Sequence, residues 1–187
     1  MKGIVILAAG ASTRLGRPKQ LLLYKGDTLL NNAVKAALGA NVDAVAVVLG
    51  AAAELVQQGI TVPVVINAAY EEGMASSIRC GVEYMMAQGA DKIMLMVCDQ
   101  PYVDAAHLSA LLLQQETTGA KIAASYYEGR KGVPALFDKS LFPELLALRG
   151  DVGARQVIEK HAANAVIVPF PAGAVDIDTE QAYNALG

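Results

Sequence analysis

Gly3-Ile4-Val5-Ile6-Leu7-Ala8-Ala9-Gly10-Ala11-Ser12-Thr13-Arg14-Leu15-Gly16-Arg17-Pro18-Lys19 passes from an unbroken apolar run into a loop of small and basic residues. The run is continuous rather than alternating, which marks a strand covered on both faces. Ala44 to Leu49, Val62 to Ile66 and Lys92 to Cys98 repeat the pattern, and between them Thr28 to Leu38, Ala51 to Gln58, Ala75 to Gln88 and Asp104 to Gln115 carry helical spacing. Strand and helix alternating at these intervals predict an α/β fold of three layers, a mostly parallel sheet with helices on both faces and right-handed crossovers. From Ile122 the rhythm changes. Ile122 to Tyr127 and Val133 to Phe137 flank Glu128-Gly129-Arg130-Lys131-Gly132, read as a hairpin or wide turn, so a small antiparallel element is expected in the second half. Pro143, Gly150, Gly153, Pro169, Pro171 and Gly173 punctuate the last third, and a helix from Thr179 to Leu186 is predicted to follow.

The chain of 187 residues is 54% apolar, with 33 charged side chains and a net charge of −3. That length suits one domain with a sizeable core, and that composition excludes disorder. Without a surplus of Lys and Arg, general nucleic-acid binding is excluded too. Alanine supplies 33 residues and Trp none, so the interior is built from small and β-branched side chains. Each apolar run is interrupted well short of the roughly 20 residues that a membrane span needs. A strand beginning at Gly3 leaves no room for a signal peptide, and a cytoplasmic location is expected. Cys80 and Cys98 are too few for a disulfide framework or a metal cluster and read as small buried hydrophobes.

The loop after the first strand addresses phosphate. Its small residues let backbone N–H groups approach a phosphate chain, and Arg14 and Lys19 supply positive charge. Five residues separate Gly10 from Gly16, and Lys19 follows Pro18, so the segment is neither a Walker A loop nor a dinucleotide fingerprint. A small, basic βα turn without a ligand is the structural alternative.

With its downstream companions this segment resembles the N-terminal signature of nucleotidyltransferases of GT-A-like fold. The companions are Gly73-Met74-Ala75-Ser76-Ser77-Ile78-Arg79, Cys98-Asp99-Gln100-Pro101, Gly132-Val133-Pro134-Ala135-Leu136-Phe137, Gly150-Asp151-Val152-Gly153-Ala154-Arg155 and Asp176-Ile177-Asp178-Thr179. In this order they resemble the molybdenum cofactor cytidylyltransferase branch of the MobA-like group. The resemblance implies transfer of CMP from CTP to the terminal phosphate of molybdenum-bearing molybdopterin, with Mg²⁺ as cofactor. It also implies transient contact with a molybdoenzyme or its maturation factor. A nucleotide half (residues 1–103) and an acceptor half (residues 104–187) would share one domain. Guanylyl transfer to the same cofactor and sugar-1-phosphate nucleotidyl transfer are the nearest alternatives. A non-catalytic cofactor carrier is an alternative of another class.

Asp99 ends a buried strand, where open parallel sheets bind ligands, and a carboxylate there suits Mg²⁺; capping the turn before Pro101 would explain it equally. Asp178 reads as the N-cap of a capping box with Gln181. The resemblance instead makes Asp178, with Asp176 as understudy, the second metal ligand beside Asp99. It assigns the nucleotide to Leu7, Ala8, Ala9, Gly10, Ser12, Arg14 and Lys19, and to a base wall of Asn67, Gly73, Ala75, Ser76 and Ser77. Lys19, Arg14 and Asp99 are the catalytic candidates. The two serines would also serve as caps of the helix they enter. Asp151 reads as a further N-cap. Gly132, Pro134, Gly153 and Arg155 are the acceptor candidates, Arg155 because guanidinium binds phosphate bidentately. His107 and His161 lie within helical stretches without a partnered Asp or Cys and read as bystanders. Tyr126 and Tyr127 either pack or line a pocket mouth. Ala9, where guanylyl-transferring relatives carry Gly, narrows the space beside the base and favours a pyrimidine.

Overall fold

The computed structural model describes residues 1–186. Its elements are β1 (Lys2–Leu7), β2 (Leu23–Tyr24), β3 (Asp27–Thr28), α1 (Leu29–Gly39), β4 (Ala44–Leu49), α2 (Ala53–Val56), β5 (Val64–Ile66), α3 (Met74–Ala87), β6 (Lys92–Val97), α4 (Ala105–Thr118), β7 (Ile122–Tyr127), β8 (Arg130–Asp138), α5 (Phe142–Ala147), α6 (Arg155–Lys160), β9 (Ala165–Pro169) and α7 (Glu180–Asn184). Seven strands form one sheet in the order β5-β4-β1-β6-β8-β7-β9. Only β8 runs against its neighbours; the other pairings are parallel.

The unbroken apolar strands are explained by two cores. Along β1, Val5, Leu7 and the following Ala9 face one core, while Ile4, Ile6 and Ala8 face the other. The first core is closed by Ile78, Val82 and Met85 of α3, Leu145 of α5 and Ile158 of α6. The second is closed by Leu30, Val34 and Ala37 of α1 and Leu108, Leu111 and Leu112 of α4. Gly81 lies on Val5, and a Cβ there would collide with the valine methyls, so the glycine sets how closely α3 approaches β1. Thr28 and Asp104 cap α1 and α4 by accepting from Asn31 N and His107 N.

The hairpin expected in the second half is present and belongs to the main sheet. Its turn is tighter than predicted, because β8 already begins at Arg130. Glu128 and Gly129, with φ of 48° and 72°, make the reversal in two residues, as a primed turn requires. The helix expected at Ala51 to Gln58 shrinks to α2, since Ala52 is left-handed (φ 53°) and Gly59 (φ 82°) ends the segment. The closing helix is likewise only α7, not Thr179 to Leu186. Three elements escaped the sequence reading, the β2–β3 hairpin, the helix α5 and the edge strand β9; all are short, and β9 is only partly buried and ends in proline. Among the described residues no helix is long and apolar enough to cross a membrane.

Candidate active site

The loop leaving β1 is tied down by its own backbone and by one buried side chain. Ala8 N donates to Val48 O, and Ala9 O accepts from Ala51 N. Gln20, 1% exposed, donates from Nε2 to Ala8 O (2.8 Å) and Gly10 O (3.0 Å). Sequence reasoning missed Gln20; a lone amide directly before the apolar pair Leu21-Leu22 was the available signal. Ser12, left-handed at φ 54°, accepts Lys19 N on its hydroxyl at 3.1 Å. It shapes the loop and does not line the cavity described below.

Lys19 thereby reaches two carboxylates from distant parts of the chain. Its Nζ donates to Asp99 Oδ2 and, at 2.7 Å, to Asp178 Oδ1. Arg14 Nη2 takes the other oxygen of Asp178 at 2.8 Å, from a side chain that is 70% exposed. Burial lowers the Lys19 pKa, but the Asp99 charge and the hydrogen bonds to Asp178 and Asp99 outweigh it and hold the ammonium above its usual value. Asp178 is held below the usual carboxylate range: burial works against that, and its bonds to Lys19 and Arg14 prevail. Asp176 has no such partner, and burial together with the charges of Asp99 and Asp178 pushes it up to about 6. The capping expectation for Asp178 fails. Thr179 is the N-cap of α7, accepting from Ala182 N at 3.2 Å, which leaves the Asp178 carboxylate free for the two cations.

Lys19 and Asp99 of this cluster line a cavity of about 610 Å³, whereas Arg14, Asp176 and Asp178 are not in its lining. Its lining includes Thr13, Lys19 and Asp99, the loop residues Leu7, Ala8, Ala9 and Gly10, and Tyr70, Glu71, Gly73, Met74 and Ser77. Of the base-wall candidates, Gly73 and Ser77 line it; Asn67, Ala75 and Ser76 stand behind, all buried. Neither serine caps α3, whose N-cap is Gly73 without a side-chain cap bond. Gly73 is obligatory there, at φ 106° with a virtual Cβ 2.6 Å from Asp151 Cα. Asp151 does not cap α6, which begins at Arg155 after Ala154; its carboxylate turns instead toward Met74 N at 3.4 Å.

A second cavity of about 230 Å³ shares Leu7, Met74 and Val97 with the first and gathers Tyr127, Arg130, Lys131, Gly132, Gly153 and Arg155. Three of the four acceptor candidates meet here. Pro134 is buried outside this lining, and its carbonyl accepts from Ser125. Gly132 also has a packing reason, since a Cβ would strike the Tyr127 hydroxyl. Tyr127 is buried beneath it, whereas Tyr126 is 37% exposed. Cys98 is buried on the cavity floor, its thiol pushed up to about 12 by burial and the Asp99 charge, while Cys80 is only half-buried. His107 and His161 lie outside both cavities; His161 pairs with Glu144 at 2.8 Å.

Residues 4–165 match the model of the MobA-like NTP transferase domain. The chain belongs to the MobA-like NTP transferase family. It is 32% identical over 195 residues to the purine catabolism protein PucB of Bacillus subtilis, spanning 96% of this chain and 93% of that protein. It is 31% identical over 129 residues to a probable molybdenum cofactor guanylyltransferase of Bacillus cereus, spanning 68% of this chain and 62% of that protein. Among solved structures, Rv0371c of Mycobacterium tuberculosis superposes with a TM-score of 0.85 at 30% identity, covering 99% of this chain and 96% of that one; it has also been solved as a complex with manganese. The fold is that of nucleotidyltransferases, and the chain is a nucleotidyltransferase of this family.

The geometry also tests whether a divalent cation suits the site. Among the described residues no three His, Cys, Asp or Glu side chains gather at ligand spacing. The donor set is therefore the pair Asp99 and Asp178, and one ammonium already bridges an oxygen of each. Two carboxylates facing one cation fit Mg²⁺, which takes one or two carboxylates and draws its other ligands from water and phosphate.

Proposed function

We propose that this nucleotidyltransferase transfers CMP from CTP to the terminal phosphate of molybdenum-bearing molybdopterin. The observation that carries the reading is the Lys19 bridge between Asp99 and Asp178 at a cavity lined by Leu7 to Gly10. It joins phosphate-binding cations to metal-binding carboxylates at one point. An acceptor phosphate oxygen, already ionised, attacks the α-phosphorus of CTP; the new P–O bond forms as the bond to the bridging oxygen breaks, and pyrophosphate leaves with that electron pair. No Ser, Cys or His nucleophile is needed. Lys19 and Arg14 release their carboxylates and neutralise the charge that builds on the leaving pyrophosphate. Asp99 and Asp178, with Asp176 beside them, would hold Mg²⁺, which when bound neutralises phosphate oxygens.

In this reading the cavity of Lys19 and Asp99 belongs to a nucleotide half, residues 1–103, and that of Gly132, Gly153 and Arg155 to an acceptor half, residues 104–187, of one domain. Arg155 would turn from Glu159, its partner at 2.6 Å, to the acceptor phosphate. Use of CTP sets the enzyme in the cytoplasm, and its product calls for hand-over to a molybdoenzyme or its maturation factor. The likeness to a guanylyltransferase supports a second reading, guanylyl transfer to the same acceptor. Pyrophosphate release measured with each of the four nucleoside triphosphates, Mg²⁺ and the acceptor tests both. Release with CTP and acceptor together is expected; preference for GTP would favour the second reading, and no release with any nucleotide would overturn both.

A further inference from the structure

One buried carboxamide decides which way the loop after β1 presents its peptide groups. Gln20 is 1% exposed and follows Lys19 directly. Its Nε2 spends one proton on Ala8 O at 2.8 Å and the other on Gly10 O at 3.0 Å. The amide cannot be turned over, because Oε1 would then oppose two carbonyl oxygens. That Oε1 is buried and has no donor among the described residues, a cost that an apolar side chain of the same shape would avoid. The distinctive contribution of the glutamine is its pair of donated bonds. A peptide plane carries its C=O and the following N–H on opposite edges. Fixing Ala8 O and Gly10 O toward the carboxamide therefore points the N–H groups of Ala9 and Ala11 away from it. Two further carbonyls of the loop are covered as well: Ala9 O accepts from Ala51 N, and Ser12 O from Leu15 N and Gly16 N. The N–H groups of Ala9 to Arg14, by contrast, find no backbone acceptor among the described residues.

We infer that Gln20 is a positioning residue for the nucleotide phosphates. It holds the peptide planes joining Ala8 to Ala9 and Gly10 to Ala11 so that Ala9 N–H and Ala11 N–H donate to phosphate oxygens. Ala9, Gly10 and Ala11 line the main cavity together with Lys19, which brings the charge. Carbonyls occupied and N–H groups free is the polarity that an anion requires of a loop. The inference rests on the nucleotidyl-transfer reading and adds to it a neutral residue that supplies no charge of its own. Gln20 acts on the ligand through the loop, so its effect is the same whichever base the nucleotide carries.

Calorimetric titration of the full chain with inorganic tripolyphosphate, CTP and GTP, each with Mg²⁺, tests this beside thermal unfolding. Gln20→Met keeps the length of the side chain, removes both donors together with the orphaned oxygen, and should unfold within a few degrees of the parent. It is expected to weaken tripolyphosphate about three- to tenfold, as loss of a neutral hydrogen bond does. CTP should weaken by the same factor, and the ratio of CTP to GTP affinity should stay at the parent value. A merely structural role would loosen the whole cavity and move that ratio. A folded Gln20→Met that binds tripolyphosphate like the parent, that loses CTP more than tripolyphosphate, or that shifts the ratio overturns the inference. If the variant does not fold, amide hydrogen exchange in the parent decides. The Ala9 and Ala11 amides should gain protection with tripolyphosphate and Mg²⁺, and no gain at either overturns this inference only. A parent that binds neither tripolyphosphate nor any nucleotide overturns it together with the reading on which it rests.

Discussion

The backbone N–H of Ile177 donates to the carbonyl oxygen of Asp99 at 2.9 Å. Through that bond the segment after β9 lies along the end of β6, and Asp176 and Asp178 come to flank a strand end far from them in sequence. Gln100 reinforces the seam, donating to Gly173 O at 2.8 Å. The acidic cluster is thus a product of backbone pairing, and single substitutions in it should leave the fold standing.

Asp99→Asn should keep its shape and lose most metal-dependent turnover, because the exchange deletes the ligand charge alone. Asp178→Asn should behave likewise. Thr179→Ala is the contrasting change: it removes the α7 cap, costs about 0.5–2 kcal/mol, and should spare turnover in the folded protein. Thermal unfolding beside pyrophosphate release separates the three; near-normal turnover in Asp99→Asn at saturating Mg²⁺ would refute its assignment.

Lys19→Ala should lower turnover more than Arg14→Ala, since Lys19 is 17% exposed and binds two carboxylates whereas Arg14 is 70% exposed and binds one. Loss of a charged hydrogen bond there is worth about 1.5–3 kcal/mol, roughly ten- to hundredfold. Variants that bound CTP and released pyrophosphate like the parent would make the loop purely structural.

Ala9→Gly should relax selectivity toward GTP more than it lowers CTP turnover. Ala9 lines the cavity, and in the cytidylyl reading proposed above its methyl would narrow the space beside the base. One methyl discriminates by about 1–3 kcal/mol, so the parent preference is expected to be clear but not absolute. Competition between equal CTP and GTP measures it, and a parent that prefers GTP contradicts the cytidylyl reading.

His107 should lower folding stability as the medium becomes mildly acidic, while Asp176, whose raised pKa favours proton uptake by the folded chain, acts in the opposite direction. His107 stacks on Phe170 with centroids 4.0 Å apart and donates from Nε2 to Ser125 Oγ at 2.7 Å, the serine proton going on to Pro134 O. Burial holds its pKa below the usual value, against the charge of Asp104. The unfolded chain then binds the extra proton first, so this stability is present above the ordinary histidine pKa of about 6.5 and is lost as pH falls through it. Urea midpoints compared at about pH 7.5 and about pH 5.5 should drop further for the parent than for His107→Gln; equal drops would mean that His107 is not the group responsible.

Periodicity in the sequence by itself determined the layered fold. Val5 and Ile6 must both be buried, which requires a helix layer on each side, and the strands at Ala44, Val62 and Lys92 were legible for the same local reason. The small and basic loop after β1 was legible too, because Gly10, Arg14 and Lys19 lie within a few residues of one another. Only the tertiary structure decided what joins across the chain. It made Thr179 rather than Asp178 the cap, turned Asp151 to α3, withdrew Asn67 and Ser76 from the cavity while leaving Ser77 in it, and buried Gln20 under the loop. Each of these is a choice among hydrogen-bond partners that a side chain could satisfy equally well nearby. Local sequence states which partners a residue is able to take, and the packing of distant segments determines which of them arrives.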